Sequence, residues 1–279
     1  MLKPLLYVYA FWFLCGFVLL LADLLPPWLE WANSVYLMLG GIAALLWVRR
    51  EAGSRRMLLF LVLCGGLSFF SEWFGSHTGL WFGRYSYTDR FAPLLFGVPL
   101  AIPMAWCMIL AIAKWFVRGG GIRAAAAAGG IAAMIDLVLD PVAVRQRYWV
   151  WADPGALSFH GVPWTNFACW WITASLIYAC CMRWKLPRRR RELLSPGRTT
   201  GRLTALIRTA DVQAAAPLLL FVTLELLFLA LGSSFGLWPA VLINGSGAAL
   251  LLLWRYAATE RAAGGSPQDP PDLFVHPRS

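Results

Sequence analysis

Apolar residues in this chain do not alternate with polar ones. They gather in eight long runs: Leu5–Leu25, Trp28–Val48, Met57–Phe74, Leu94–Val117, Ile122–Val144, Trp164–Met182, Ala214–Gly232 and Gly236–Trp254. A helix needs about 20 apolar residues to cross roughly 30 Å of hydrocarbon, and each run is close to that length. Strands of a membrane barrel would alternate with period two, so continuous runs exclude that architecture. The pattern predicts an all-α, polytopic membrane helix bundle of about eight transmembrane helices over residues 1–259. Residues 260–279, rich in Gly and Pro and without periodicity, are expected to be a disordered tail. Pro141 is expected to end the fifth helix. The first run is too long for a signal-peptide core and lacks an Ala-x-Ala site, so it reads as a retained helix.

Composition agrees: 59% of the 279 residues are hydrophobic and 14% charged, against about 45–50% and 25% in soluble domains. A water-soluble enzyme and a nucleic-acid-binding module are both excluded, although the net charge is +10. With the N-terminus inside, 20 of the 24 lysines and arginines fall on the inner side, so the charge marks topology, with both termini cytoplasmic. The basic stretch Arg183–Gln213 then reads as an inner connection with affinity for the membrane surface. Arg84, Arg90, Arg145 and Arg147 are the exceptions, in two outer loops. Six cysteines lie in the apolar runs without metal-ligand spacing, as small apolar fillers.

Shifting the chain by 64 residues lays Glu72 on Asp136, Tyr85 on Trp149, Tyr87 on Trp151, Gly97-Val98-Pro99 on Gly161-Val162-Pro163 and Trp106 on Trp170. Each copy is a helix with a carboxylate in its outer half, an aromatic outer loop, a Gly-Val-Pro turn and a second helix. The third and fourth runs therefore match the fifth and sixth in direction, a parallel internal repeat.

Carboxylates inside apolar helices face a site, a partner or water. Asp23 and Glu30 flank an outer turn and read as solvated; Glu225 calls for a buried polar partner. Asp136 and Asp140 stand one helical turn apart on one face, a proton-sharing pair, with Glu72 matching them from the other copy. A divalent cation held by these three is a weaker alternative, and no metal is expected. His77, Arg84, Arg90, His160 and Asn166 share the same outer region, together with Trp81, Tyr85, Tyr87, Trp106, Trp149 and Trp151. Aromatic faces can line a pocket for a conjugated lipid and stabilise a developing cation. Nucleotide loops and multi-histidine iron boxes are missing from the sequence.

The segments Glu72-Trp-Phe-Gly-Ser-His77, Trp81-Phe-Gly-Arg-Tyr85-Ser-Tyr87, Phe96-Gly-Val-Pro99, Asp136-Leu-Val-Leu-Asp140-Pro141, Trp149-Val-Trp151 and Gly161-Val-Pro-Trp-Thr-Asn166 resemble the carotenoid biosynthesis proteins typified by bisanhydrobacterioruberin hydratase. These are carotenoid 1′,2′-hydratases. The resemblance is strong over roughly residues 60–175. It implies a multi-pass enzyme of a prokaryotic cell membrane that adds water to the terminal double bond of an acyclic carotenoid end. Its partners would be the carotenoid, the bilayer and other enzymes of carotenoid synthesis.

Hydrating a trisubstituted alkene needs a proton donor, stabilisation of a tertiary cation and a held water, and no cofactor. Asp136 or Asp140 is expected to donate the proton, Glu72 or His77 to orient or deprotonate the water, and Asn166 to hold it. Trp81, Arg84, Tyr85, Tyr87, Trp106, Trp149, Trp151 and His160 would shape the substrate pocket. Two alternatives share these features: an end-group cyclase or isomerase that starts with the same protonation, and a lipid or ion transporter with a proton-relaying acid chain.

Overall fold

The computed structural model describes residues 1–117, 119–182 and 211–264. Most of the expected inner basic stretch and the last part of the expected tail lie outside the described residues. The fold is mostly helical, and six helices among the described residues are long and apolar enough to span a membrane. They are α1 (Leu2–Leu21), α2 (Trp31–Ala52, preceded by a short turn from Pro27), the continuous pair α3 (Ser54–Phe60) and α4 (Gly66–Thr78), α6 (Ile122–Arg145), α8 (Ala216–Ser234) and α9 (Trp238–Gly264).

The other two expected spans are helices of a different kind. α5 (Ala101–Phe116) has 16 residues, 14 of them buried. A helix apolar all round is a core helix, and α5 is the axis against which α2, α4, α6 and α8 pack. It starts seven residues after the predicted Leu94 because residues 94–99 turn back as a hairpin. α7 (Trp164–Cys181) is 18 residues long, and Asn166, Thr173 and Ser175 dilute its apolar character.

Small residues permit the close helix contacts. A Cβ at Gly41 would stand 2.6 Å from the backbone of Met104, so α2 lies directly on α5; at Gly129 it would collide with Trp171 and Ser175 of α7. With lipid as apolar as the side chains, such close packing is what holds membrane helices together. Between α3 and α4 the chain makes a π-helical turn, Leu61–Gly65. Its i→i+5 pattern takes up more residues per turn, which keeps the four-residue steps Phe60, Cys64, Ser68 and Glu72 on the buried side.

Two boundaries differ from the sequence expectation. Pro141 lies inside α6, which continues to Arg145; proline removes one backbone donor, and the helix tolerates this near its last turn. α9 runs to Gly264, past the expected start of the tail at 260, through a stretch with good helix formers such as Glu260, Arg261 and Ala262.

Among the described residues the strands lie in the two long loops that follow α4 and α6. β1 (Tyr85–Tyr87) pairs antiparallel with β4 (Trp149–Trp151), Tyr85 opposite Trp151 and Tyr87 opposite Trp149. β2 (Leu94–Leu95) and β3 (Val98–Pro99) form a hairpin, as do β5 (Ser158–Phe159) and β6 (Val162–Pro163). Both hairpins turn on two residues of positive φ, Phe96-Gly97 at 47° and 78° and His160-Gly161 at 51° and 84°. Glycine at the second position accepts this conformation freely, which fits the turn to the strand twist.

Candidate functional site

Beneath the β1–β4 ladder α1, α2, α4, α5, α6, α7 and α8 line a partly open cavity. Glu72 comes to its wall from α4. Its carboxylate accepts Tyr85 Oη at 2.5 Å and Tyr87 Oη at 2.8 Å on Oε2, and Trp106 Nε1 at 3.0 Å on Oε1. Three donors on an acceptor-only group make a complete cradle for a buried anion. Alternation along β1 puts Tyr85 and Tyr87 on the same face, and so both phenols reach one carboxylate. Burial, reinforced by the Glu72 charge, holds both phenols well above their ordinary range, so each remains an O–H donor.

Asp136 and Asp140 come from α6, both buried and within hydrogen-bond reach of each other. Asn166, in the first turn of α7, joins them: its Nδ2 donates to Asp140 Oδ2 at 2.5 Å and to Asp136 Oδ2 at 2.9 Å. Asp140 and Asn166 line the cavity, whereas Asp136 sits behind them with Oδ1 buried and without a hydrogen-bond partner. Glu72 and Asp140 line the same cavity. Between the helices that carry them, Trp106 stacks on Trp170 with ring centroids 4.4 Å apart.

The expected aromatics Tyr85, Tyr87, Trp106, Trp149 and Trp151 all line the cavity. Four other expected residues do not. His77 is exposed, with Nδ1 at 2.9 Å from the Trp73 carbonyl. Trp81 donates to Thr173 at 3.1 Å, Arg84 lies beside Gly79, and His160 occupies the β5–β6 turn against Phe159. The sequence expectation missed Asn33, Tyr36 and Gln146, and the apolar wall from Leu20, Leu37, Leu224, Leu227, Phe228 and Leu231. Asn33, an amide inside an apolar run, was the available signal. Glu225 lies outside this site and accepts Asn244 Nδ2 at 2.7 Å. Among the described residues no group of three or more His, Cys, Asp and Glu side chains is arranged to hold a metal ion.

Residues 32–244 match the model of a family described as carotenoid biosynthesis protein. Bisanhydrobacterioruberin hydratase of Haloarcula japonica is 31% identical over 131 residues, which are 44% of this chain and 43% of that protein. The match thus spans less than half the length of that relative. No solved structure matches the chain.

Proposed function

Because this chain belongs to the carotenoid biosynthesis protein family, we propose that it is a carotenoid hydratase, adding water across the terminal double bond of an acyclic end. The observation that carries this reading is the pairing of a fully cradled Glu72 with the Asp136–Asp140–Asn166 group in one aromatic cavity.

In the proposed reaction the O–H bond of the aspartate pair breaks at Asp140, the member lining the cavity, and a C–H bond forms at the less substituted alkene carbon. The alkene electrons leave a tertiary cation on the other carbon. The Glu72 carboxylate and the aromatic faces around it supply fixed negative potential where that charge develops, in a site with few water dipoles to reorganise. A water oxygen then bonds to the cation, and its surplus proton passes to a carboxylate of the cavity and back to the aspartate pair. The sum is one water added to one double bond, and protein carboxyl groups supply all the acid–base chemistry. Asn166 holds the pair together through Nδ2, and its Oδ1 is left to accept from the water.

The same proposal places eight crossings in a prokaryotic cell membrane, with both termini cytoplasmic and the cavity in the outer half. It also takes the 64-residue correspondence as a duplication of one helix–loop–helix unit. Expression in a lycopene-producing bacterium tests the activity: pigment gaining the mass of one water per modified end supports it. A new pigment of unchanged mass would indicate a cyclase or isomerase, and unchanged pigment with the protein in the membrane would overturn the enzyme reading.

A further inference from the structure

The cavity has two unlike walls. Leu20, Leu37, Leu227 and Phe228 form an apolar side suited to an isoprenoid chain. At the start of α2 and just past the end of α6 the lining holds three neutral polar residues: Asn33, Gln146 and Tyr148. Asn33 Nδ2 donates to the Tyr148 hydroxyl at 2.5 Å, and Phe91 packs on the Tyr148 ring at 5.1 Å, which fixes the direction of the phenol. That hydroxyl still has its own proton to offer, and the Gln146 side-chain amide makes no hydrogen bond to another described residue. Just outside, Arg90 approaches Glu30 at 3.7 Å and donates to the Gln146 carbonyl at 3.1 Å, and its side chain is 49% exposed. Exposure thus falls in order from a solvated ion pair, through neutral amides and a phenol, to the acid cluster.

A hydratase with a lipid substrate has a supply problem: the substrate is best protonated in a dry cavity, yet the cation must meet water before it loses a proton. We infer that the Asn33–Gln146–Tyr148 strip is the water port of this site and that Tyr148 positions the attacking water. The inference rests on the hydratase reading. Neutral donors and acceptors suit the task because they hold a water without neutralising the acids or trapping the cation. The apolar wall leaves the lipid substrate a separate side of the cavity.

The port decides the fate of the cation, so its loss changes the product before it changes the rate. With water withheld, the cation returns its proton from a neighbouring carbon to a cavity carboxylate and leaves as an isomerised or cyclised alkene of unchanged mass. The test compares wild type with Tyr148→Phe and Gln146→Leu in lycopene-containing membranes, reading the ratio of alcohol to unchanged-mass product by mass-resolved chromatography. The expected result is a fall in that ratio of about tenfold in each variant, equivalent to about 1.4 kcal/mol of selectivity. A wild-type ratio in Gln146→Leu, whose side chain has no structural bond to lose, would overturn the inference even if Tyr148→Phe fails to accumulate. Absence of alcohol from the wild type would instead remove the hydratase reading itself.

Discussion

Asp140 and Asp136 differ in exposure to the cavity while sharing one amide, so isosteric changes separate their roles. Asp140→Asn removes the proton at the cavity wall and is expected to lower hydration at least about 100-fold, the range of general-acid catalysis. Asp136→Asn should also impair turnover, by removing the group that shares the proton, with protein levels held in both variants; hydrated pigment per unit of membrane protein is the measure. Glu72→Gln sets an amide against donors that all point inward. It should destabilise the protein by about 1–3 kcal/mol, seen as a lowered melting temperature in detergent. The three carboxylates were legible because charge inside an apolar run is rare. The direction of their neighbours was not: His77 is five residues from Glu72, about 140° around the helix at 100° per residue, and so faces away from the cavity. Arg84 and His160 share their loops with cavity residues, and the folding of those loops into strands and tight turns was not legible.

Helix contacts turn on single small residues, and the prediction is correspondingly local. Gly129→Ala forces α6 and α7 apart at Trp171 and Ser175 and should lower stability by about 1–3 kcal/mol. Gly130→Ala, with nothing within 4 Å of the added atom and alanine the better helix former, should leave the melting temperature unchanged or slightly raised. At the C-terminal end of α2, Arg50 pairs with Asp211, whose carboxyl is held below its ordinary range chiefly by that hydrogen bond. A depressed carboxylate pKa means a contribution present above the unfolded value and lost as the pH falls through the folded one. Asp211→Asn should therefore cost at most about 1 kcal/mol near neutrality, and nothing once acid has protonated the wild-type residue, in melting curves taken against pH. At this scale the long helices were legible from their apolar runs. The hairpin at 94–99 was not, because Leu94, Leu95, Phe96 and Val98 are as apolar as the helix that follows; only Gly97, in a two-residue turn of positive φ, and Pro99 marked the difference.

Across the whole molecule, residues 64 apart in the chain meet at one place. Trp106 stacks on Trp170, and the strands containing Tyr85 and Trp149 run side by side. The positions around them differ: at the same spacing Asp140 corresponds to Ser76, and Asn166 to Ile102. The first stretch therefore contributes a carboxylate with three donors and the second a pair of carboxylates with one. The β1–β4 ladder joins the two stretches at one end of the helices, whereas the covalent link from α5 to α6 leaves from the opposite end of α5. Cutting the chain in that link leaves every strand pair and every bond to Glu72 and the aspartates available for reassembly. Fragments 1–118 and 119–279, produced together, should complement one another in pigment conversion, while neither alone can close the wall that the other supplies.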